Sequence, residues 1–276
     1  MKRKNLLQTG IALMTVPFFF TACQKESKTD EATSVGEDVI VSNRDQEENM
    51  AEEFYAGTDC NYDWSQLCGT CATITQSSTD YPKTVTIDYG DGCEGPHGHV
   101  KKGKIILEIS DNLHNEGAVR TMTYDNFFID DVQITGSRTA TNIGLNGNSN
   151  LVITVTGTMT AIRDGVSRTR TVNHEREWIA GSETCEREDD EFLITGTGTV
   201  EGPHGTATTT IETPLYIAPG QCNYIMSGSI HIEGQGSKHR GGTIDFGDGT
   251  CDNIATMTTN SGKTFDIDLD QRKIMH

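Results

Sequence analysis

From about residue 71 onward, apolar residues alternate with threonine, serine or charged residues at period two. Clear runs are Thr84-Val85-Thr86-Ile87-Asp88, Lys104-Ile105-Ile106-Leu107-Glu108-Ile109, Val152-Ile153-Thr154-Val155-Thr156 and Thr264-Phe265-Asp266-Ile267-Asp268-Leu269. In a strand, successive side chains point to opposite faces, so this pattern gives each strand one apolar and one polar side. The β-branched content agrees with that reading. Turn signals punctuate the runs at Asp91-Gly92, Asn146-Gly147, Asp164-Gly165 and Ser261-Gly262. No stretch after residue 60 carries a helical period. The chain is therefore expected to be all-β, with about a dozen strands joined mainly as hairpins. Two architectures are open at this point: an antiparallel sandwich or an extended, twisted sheet.

The first 23 residues depart from this pattern. Lys2, Arg3 and Lys4 precede an apolar run over residues 11–20. That run is shorter than the roughly 20 apolar residues a spanning helix needs. A basic start, a short apolar core and small residues before a cut site describe a secretory signal. Phe20-Thr21-Ala22-Cys23 resembles the lipobox of bacterial lipoproteins. The resemblance implies cleavage before Cys23, so that residues 1–22 are a signal peptide, and lipidation of Cys23. Three acyl chains on that residue would exceed the two signals needed for stable membrane anchoring. Gln24, not Asp, follows Cys23, so the inner-membrane retention signal of enteric lipoproteins does not stand there. The Lys25-Glu26 pair resembles the export signal of Bacteroidota surface lipoproteins, which implies the outer membrane and, further, the cell surface.

Charge narrows the partners. Removing residues 1–22, which carry three bases and no acid, shifts the formal charge from −18 to −21. Such a field repels phosphate backbones and excludes nucleic acid as a natural partner. Cations, basic surfaces and neutral glycans or proteins outside the cytoplasm remain. Residues 24–57 hold ten acids against three bases and few apolar residues, the composition of a solvated chain. Residues 23–57 are accordingly expected to be a lipidated, acidic, flexible tether, with a span of about 30–35 Å and a weak helix over residues 44–56. Residues 58–276 then form the β domain, as one unit or two related halves.

Beyond Cys23 there are seven cysteines: Cys60, Cys68, Cys71, Cys93, Cys185, Cys222 and Cys251. In an exported chain these read as a disulfide framework, with one left over. Cys71 with Cys93, and Cys222 with Cys251, each join neighbouring predicted strands and are the expected pairs; Cys60 with Cys68 is a further candidate. The Cys68-Gly69-Thr70-Cys71 spacing lacks the context of a redox helix or a second zinc-ligand pair.

The chain echoes itself. Thr86-Ile87-Asp88-Tyr89-Gly90-Asp91-Gly92-Cys93 recurs as Thr243-Ile244-Asp245-Phe246-Gly247-Asp248-Gly249-Thr250-Cys251, and Glu94-Gly95-Pro96-His97-Gly98 recurs as Glu201-Gly202-Pro203-His204-Gly205. The two offsets differ, so this is no solenoid of fixed period. The order of these segments, with the Tyr124, Arg138, Trp178 and Thr195 regions between them, is similar to a family of uncharacterised Bacteroidota lipoproteins over about residues 71–269. That resemblance implies an all-β envelope protein and supplies no catalytic residue. The Asp245-to-Thr250 string is also similar to the core motif of PKD-type sandwiches.

Candidate chemistry is sparse. Asp88, Asp91, Asp245, Asp248 and Asp252 sit on Gly-rich turns and are candidate oxygen ligands for calcium, a cation that takes six to eight oxygens. The competing and stronger reading is turn chemistry, in which each carboxylate bonds its own backbone. His97, His99 and His204 read as loop histidines. The runs Asp130-Asp131 and Asp189-Asp190-Glu191 read as solvated edges, and no nucleophile or zincin motif is present. Trp178 is expected in the core, whereas Tyr62 and Trp64 are candidates for an exposed ligand contact. The expectation is a non-catalytic binding or scaffolding lipoprotein, with glycan capture or carbohydrate processing as the alternative.

Overall fold

In the computed structural model of the chain, the described residues are 36, 38–40, 55, 68–95, 98–235, 241–270 and 273–274. They form a strand ladder: β1 (Thr73–Gln76), β2 (Lys83–Asp88), β3 (Cys93–Glu94), β4 (Val100–Ile109), β5 (Val119–Ile129), β6 (Val132–Leu145), β7 (Leu151–Arg163) and β8 (Val166–Ala180). A single 3-10 turn over Arg187–Asp189 follows, and then β9 (Glu191–Gly202), β10 (Gly205–Ile217), β11 (Ser227–Gly234), β12 (Gly241–Asp248), β13 (Ile254–Thr259), β14 (Thr264–Asp268) and β15 (Lys273–Ile274). Every described strand belongs to one sheet. Its order is the chain order, and only β3 lies off the path, paired with β4. The neighbouring pairs are antiparallel throughout, so the fold is an all-β meander and, of the two expected architectures, the extended single sheet.

A lone sheet must bury one face to be stable. Here the buried side chains of β2 through β14 form one contiguous cluster, from Val85 and Ile87 through Ile153 and Val172 to Met257 and Ile267. One face of the sheet therefore carries the buried core, and the other carries the exposed residues. Period-two alternation sorts the residues. In β8, Arg170, Val172, Arg176 and Trp178 are buried while Thr171, Asn173 and Glu175 between them are exposed.

Bulges bend the ladder. Between Lys102 and Lys104 the β4–β5 register shifts, and Gly103 at φ +75° faces Asn126 there so closely that a Cβ would overlap the Asn126 carbonyl. A positive-φ glycine beside an interrupted register is the usual device for increasing local twist. The outer strands are short, four residues for β1 and two for β15, which limits edge-to-edge pairing.

Both expected disulfides are present. Cys71 joins Cys93 and Cys222 joins Cys251, with Cα atoms 5.6 and 5.7 Å apart. They close loops of 22 and 29 residues, each expected to stabilise by about 3–4 kcal/mol. One staple lies near each end of the sheet, and each includes the cysteine that ends one copy of the repeated Asp-Gly motif. Cys185 is also disulfide-bonded. Cys60, half of the third candidate pair, lies outside the described residues.

Close packing across the middle gives a direct test. Gly157 lies opposite Arg138 and Val172, and a Cβ there would overlap the Ser137 carbonyl and approach Arg138 Cα at 2.7 Å. Gly157→Ala is expected to destabilise by about 1–3 kcal/mol, read as a lowered thermal midpoint. Gly147→Ala, where a Cβ meets nothing within 4 Å, is expected to change stability by less than about 0.5 kcal/mol.

Candidate binding surfaces

The enclosed face carries charge. Arg120 on β5, Arg138 on β6 and Arg170 and Arg176 on β8 are between 0 and 7% exposed. Their neighbours across the sheet include Ala140 beside Arg120 and Gly157 beside Arg138. Gly196 and Gly198 on β9 face His174 and Val172. These small residues leave room over the sheet for guanidinium groups. All four arginines have interaction partners in the fold. His174, on the same face of β8, is held down to about 3 by burial first and then by the charges of Arg170, Arg176 and Arg138, so it is neutral at physiological pH. Lys83 and Lys101, also buried, lie over the Tyr81 and Tyr89 rings at 4.3 and 5.7 Å, a cation–π arrangement.

Against these cations, the buried carboxylates among the described residues are Asp38 and Asp190. Asp38 belongs to the stretch expected to be a solvated tether. The described residues of that stretch are packed against the β domain. Gly36 and residues 38–40 are helical, Tyr55 is helical too, and all five are buried. Val39, Ile40 and Tyr55 belong to the core cluster. The Asp38 carboxylate accepts from Arg168 Nε at 2.7 Å and lies 3.1 Å from His204 Nδ1. Gly202 makes this possible, because a Cβ there would overlap the carboxylate. The Glu-Gly-Pro-His-Gly hairpin thus cradles an acidic side chain from the N-terminal stretch. Composition hides this contact: acids dominate the stretch, but Val39, Ile40 and Tyr55 belong to the core cluster.

Asp190 is a correction. Expected on a solvated edge, it is 1% exposed. The Tyr55 hydroxyl donates to Oδ2 at 2.6 Å and Trp178 Nε1 donates to Oδ1 at 3.0 Å. Trp178 packs on Phe192 and His114, with ring centroids 5.3 and 5.5 Å away, which is the core role expected of it. Burial raises the Asp190 carboxyl to about 6; the Tyr55 and Trp178 bonds oppose the rise, Asp189 adds to it and Arg187 opposes it.

The Asp turns are separate, self-bonded structures. Asp88 Oδ1 accepts from the Gly90 amide at 2.9 Å and Asp245 Oδ1 from the Gly247 amide at 2.8 Å, the same motif in both copies. Asp248 accepts from the Thr250 amide and hydroxyl, and Asp252 from the Ile254 amide. Asp88 also pairs with Lys104 at 3.0 Å; the Gly90 amide, then Lys104, hold its carboxyl below the usual range. Asp91, beside Asp88, carries no bond of this kind among those described. Among the described residues no three His, Cys, Asp or Glu side chains converge as a metal site. Asp130 accepts from the Val100 amide and bonds His99 Nδ1 at 2.8 Å. His97, Tyr62 and Trp64 lie outside the described residues.

The outer face is the larger surface. Following the registers across it, Thr84, Glu108, Thr121, Thr139, Thr156 and Asn173 stand side by side from β2 to β8. The row continues through Thr197, Thr210, His231, Thr243, Thr258 and Thr264 on β9 to β14. A second row runs beside it through Thr123, Ser137, Thr158, Thr171, Thr199 and Thr208. Hydroxyls bond across strands at 2.9 Å for Thr160 with Thr169 and 3.0 Å for Thr158 with Thr171. Such pairs contribute about 0.2–1 kcal/mol each. Chemically this is a broad, mostly neutral array of donors and acceptors.

The Asp190 clamp has a signature in pH. Its folded value of about 6 lies above the ordinary 3.8, so the folded chain holds this proton more tightly than the unfolded one. That contribution is fully present below about pH 4 and is lost as pH rises through 6. Asp190→Asn cannot lose it. Denaturant melts from pH 4 to 7 are expected to show the stability difference moving in favour of Asp190→Asn by up to about 3 kcal/mol; parallel profiles would show that Asp190 carries no proton linkage. Comparison with known proteins gives no match to this chain, whether among family models, curated proteins or solved structures.

Proposed function

We propose that the chain is a non-catalytic lipoprotein of the outer membrane, exposed at the cell surface, whose β domain acts as a binding or scaffolding surface. The observation that carries the reading is the pair of hydroxyl rows crossing the outer face. They offer many weak, uncharged hydrogen-bonding groups at regular spacing, about 4.8 Å between strands. An array of this kind suits an extended neutral partner engaged at many points. The lipobox-like residues before Cys23 and the acidic composition support export and anchoring. Disulfides near both ends of the sheet agree with an oxidising compartment.

Glycan capture is the second reading, favoured by the neutral hydroxyl character of the same face. The described tryptophan is spent in the core, so stacking by Trp178 contributes nothing to it.

Three measurements test the proposal. Metabolic labelling with a fatty-acid analogue is expected to mark the intact chain and to be abolished by Cys23→Ser, with release of the domain from the membrane fraction. Protease treatment of intact cells is expected to remove the β domain while a periplasmic control survives; protection until the outer membrane is opened would place the domain inward. For the outer face, Thr156→Lys with Thr197→Lys is expected to reduce retention on an insoluble neutral polysaccharide at least tenfold if the glycan reading holds, with no change in thermal midpoint beyond about 3 °C.

A further inference from the structure

We infer that the outer face carries a sugar-stacking subsite, centred on Tyr216 and Leu193 beside Glu177, for a pyranose ring of a neutral polysaccharide. The subsite rests on the glycan reading of the hydroxyl rows and lies where those rows meet apolar surface.

The strip breaks the pattern of its face. Across β6 to β10 the two hydroxyl rows carry threonine, serine or asparagine at every crossing. Towards one end of the same strands, the registers instead align Val152, Glu177, Leu193 and Tyr216. Ile143 and Leu145 of β6 extend this row and are 49 and 69% exposed. Period two fixes the side. Phe192 and Ile194 flank Leu193, Leu215 and Ile217 flank Tyr216, and all four are buried, so Leu193 and Tyr216 point the other way. None of Ile143, Leu145, Val152, Leu193 and Tyr216 belongs to the core cluster or packs against it. Contiguous apolar surface left facing solvent marks a contact site.

Polar groups frame the strip in fixed positions. Glu177 Oε1 accepts from Asn146 Nδ2 and Asn150 Nδ2, both at 2.7 Å. Asn150 first, then Asn146, hold its carboxyl below the usual range. The Tyr216 hydroxyl donates to Glu191, which stands two residues before Leu193 on β9. Glu177 and Tyr216 are two strand spacings apart, about 10 Å. A pyranose ring has C–H faces that pack on aromatic or aliphatic side chains, and hydroxyls that donate from its rim. An apolar floor with a few placed polar groups is the usual make-up of a small-molecule site. Hydrogen bonds to an ionised carboxylate are about twice as strong as neutral ones.

Charge selects the occupant. Among the described residues, no lysine or arginine of β6 to β14 shares the parity of the threonine rows, while Glu175, Glu177 and Glu191 do. An anionic glycan is therefore repelled. A second copy of the chain, docked through the same patch about a two-fold axis, would set these acids against one another. Uncharged sugar hydroxyls meet no such penalty. The strip also runs directly into the hydroxyl-bearing surface, since Thr141, Thr154 and Thr195 stand two residues from Ile143, Val152 and Leu193.

Retention of the full mature chain on four insoluble neutral polysaccharides (cellulose, chitin, mannan and starch) tests the subsite. The parent is expected to be retained on at least one of them, and to stay bound in about 0.5 M NaCl. On that matrix Tyr216→Ala is expected to weaken retention at least about tenfold and Tyr216→Phe less than about threefold. Thermal midpoints are expected to stay within about 3 °C of the parent. If Tyr216→Ala does not fold, the isosteric Glu177→Gln decides, with an expected loss of at least about fivefold. Smaller losses, with retention still sensitive to Thr156→Lys and Thr197→Lys, would overturn the subsite and leave the glycan reading standing. Release by the salt would assign the face to a charged partner and overturn the subsite, and no retention on any of the four matrices would overturn both.

Discussion

Taking a guanidinium out of water costs several kcal/mol unless its charge is met, and this protein does so at Arg120, Arg138, Arg170 and Arg176 on one face of one sheet. Much of the surrounding architecture follows from that constraint. Alanine and glycine at Ala140, Gly157, Gly196 and Gly198 give the side chains volume. His174 stays neutral between them, since a protonated imidazole there would add to the repulsion. Two side chains of the N-terminal stretch are held on the β domain, Asp38 by Arg168 and Tyr55 by Asp190. Asp38 and Asp190, acids that a composition count assigns to solvent, are buried.

The sheet itself was legible in the sequence because period two is a strong local signal and the meander adds nothing non-local. Apart from β3, each strand pairs with the next along the chain, so hairpin turns and alternation together fix the order. The disulfides followed from the same logic, since both join segments close along the ladder. The repeated Asp-Gly string was visible too, and its meaning as a self-bonded turn was one of the two readings the residues allowed. What alternation could not say was whether the face opposite the threonines would be apolar throughout. The clue lay in β8, where Arg168, Arg170, His174 and Arg176 share their parity with Val172 and Trp178. A basic residue sharing a face with tryptophan at every second position is either a wet face or a buried charge row. The exposed Thr171, Asn173 and Glu175 on the other side decide for the second.

The burial of a few residues within the N-terminal stretch was hidden for a related reason. Disorder signatures average composition over a window, and ten acids in residues 24–57 swamp the few apolar positions. Docking depends on those few: Val39, Ile40 and Tyr55 are 0, 4 and 2% exposed. Asp190 was lost in the same way, as the middle of an acidic run whose burial depends on a tyrosine 135 residues away. Neither case concerns the strand pattern. Both concern charge placed against its usual preference, where sequence composition is least informative and long-range complementarity decides.

The segregation of charge also bears on how the domain would sit at a membrane. With positive charge gathered inside, the exterior is more acidic than the net −18 suggests, and an anionic lipid surface repels it. Were residues 24–57 all tether, a coil of about 30–35 Å would hold the domain away from that surface. With Gly36 and residues 38–40 packed against the domain, a linker from a lipidated Cys23 to that contact would be about a dozen residues, whose typical span is roughly 19 Å. The domain then stands only about two Debye lengths from the headgroups at physiological salt, where electrostatic repulsion is nearly screened and the short linker restricts orientation. On the proposed anchoring, the hydroxyl-bearing outer face is therefore presented over a narrower range of angles than a long tether would allow, a geometry suited to many-point contact with an extended partner lying parallel to the surface.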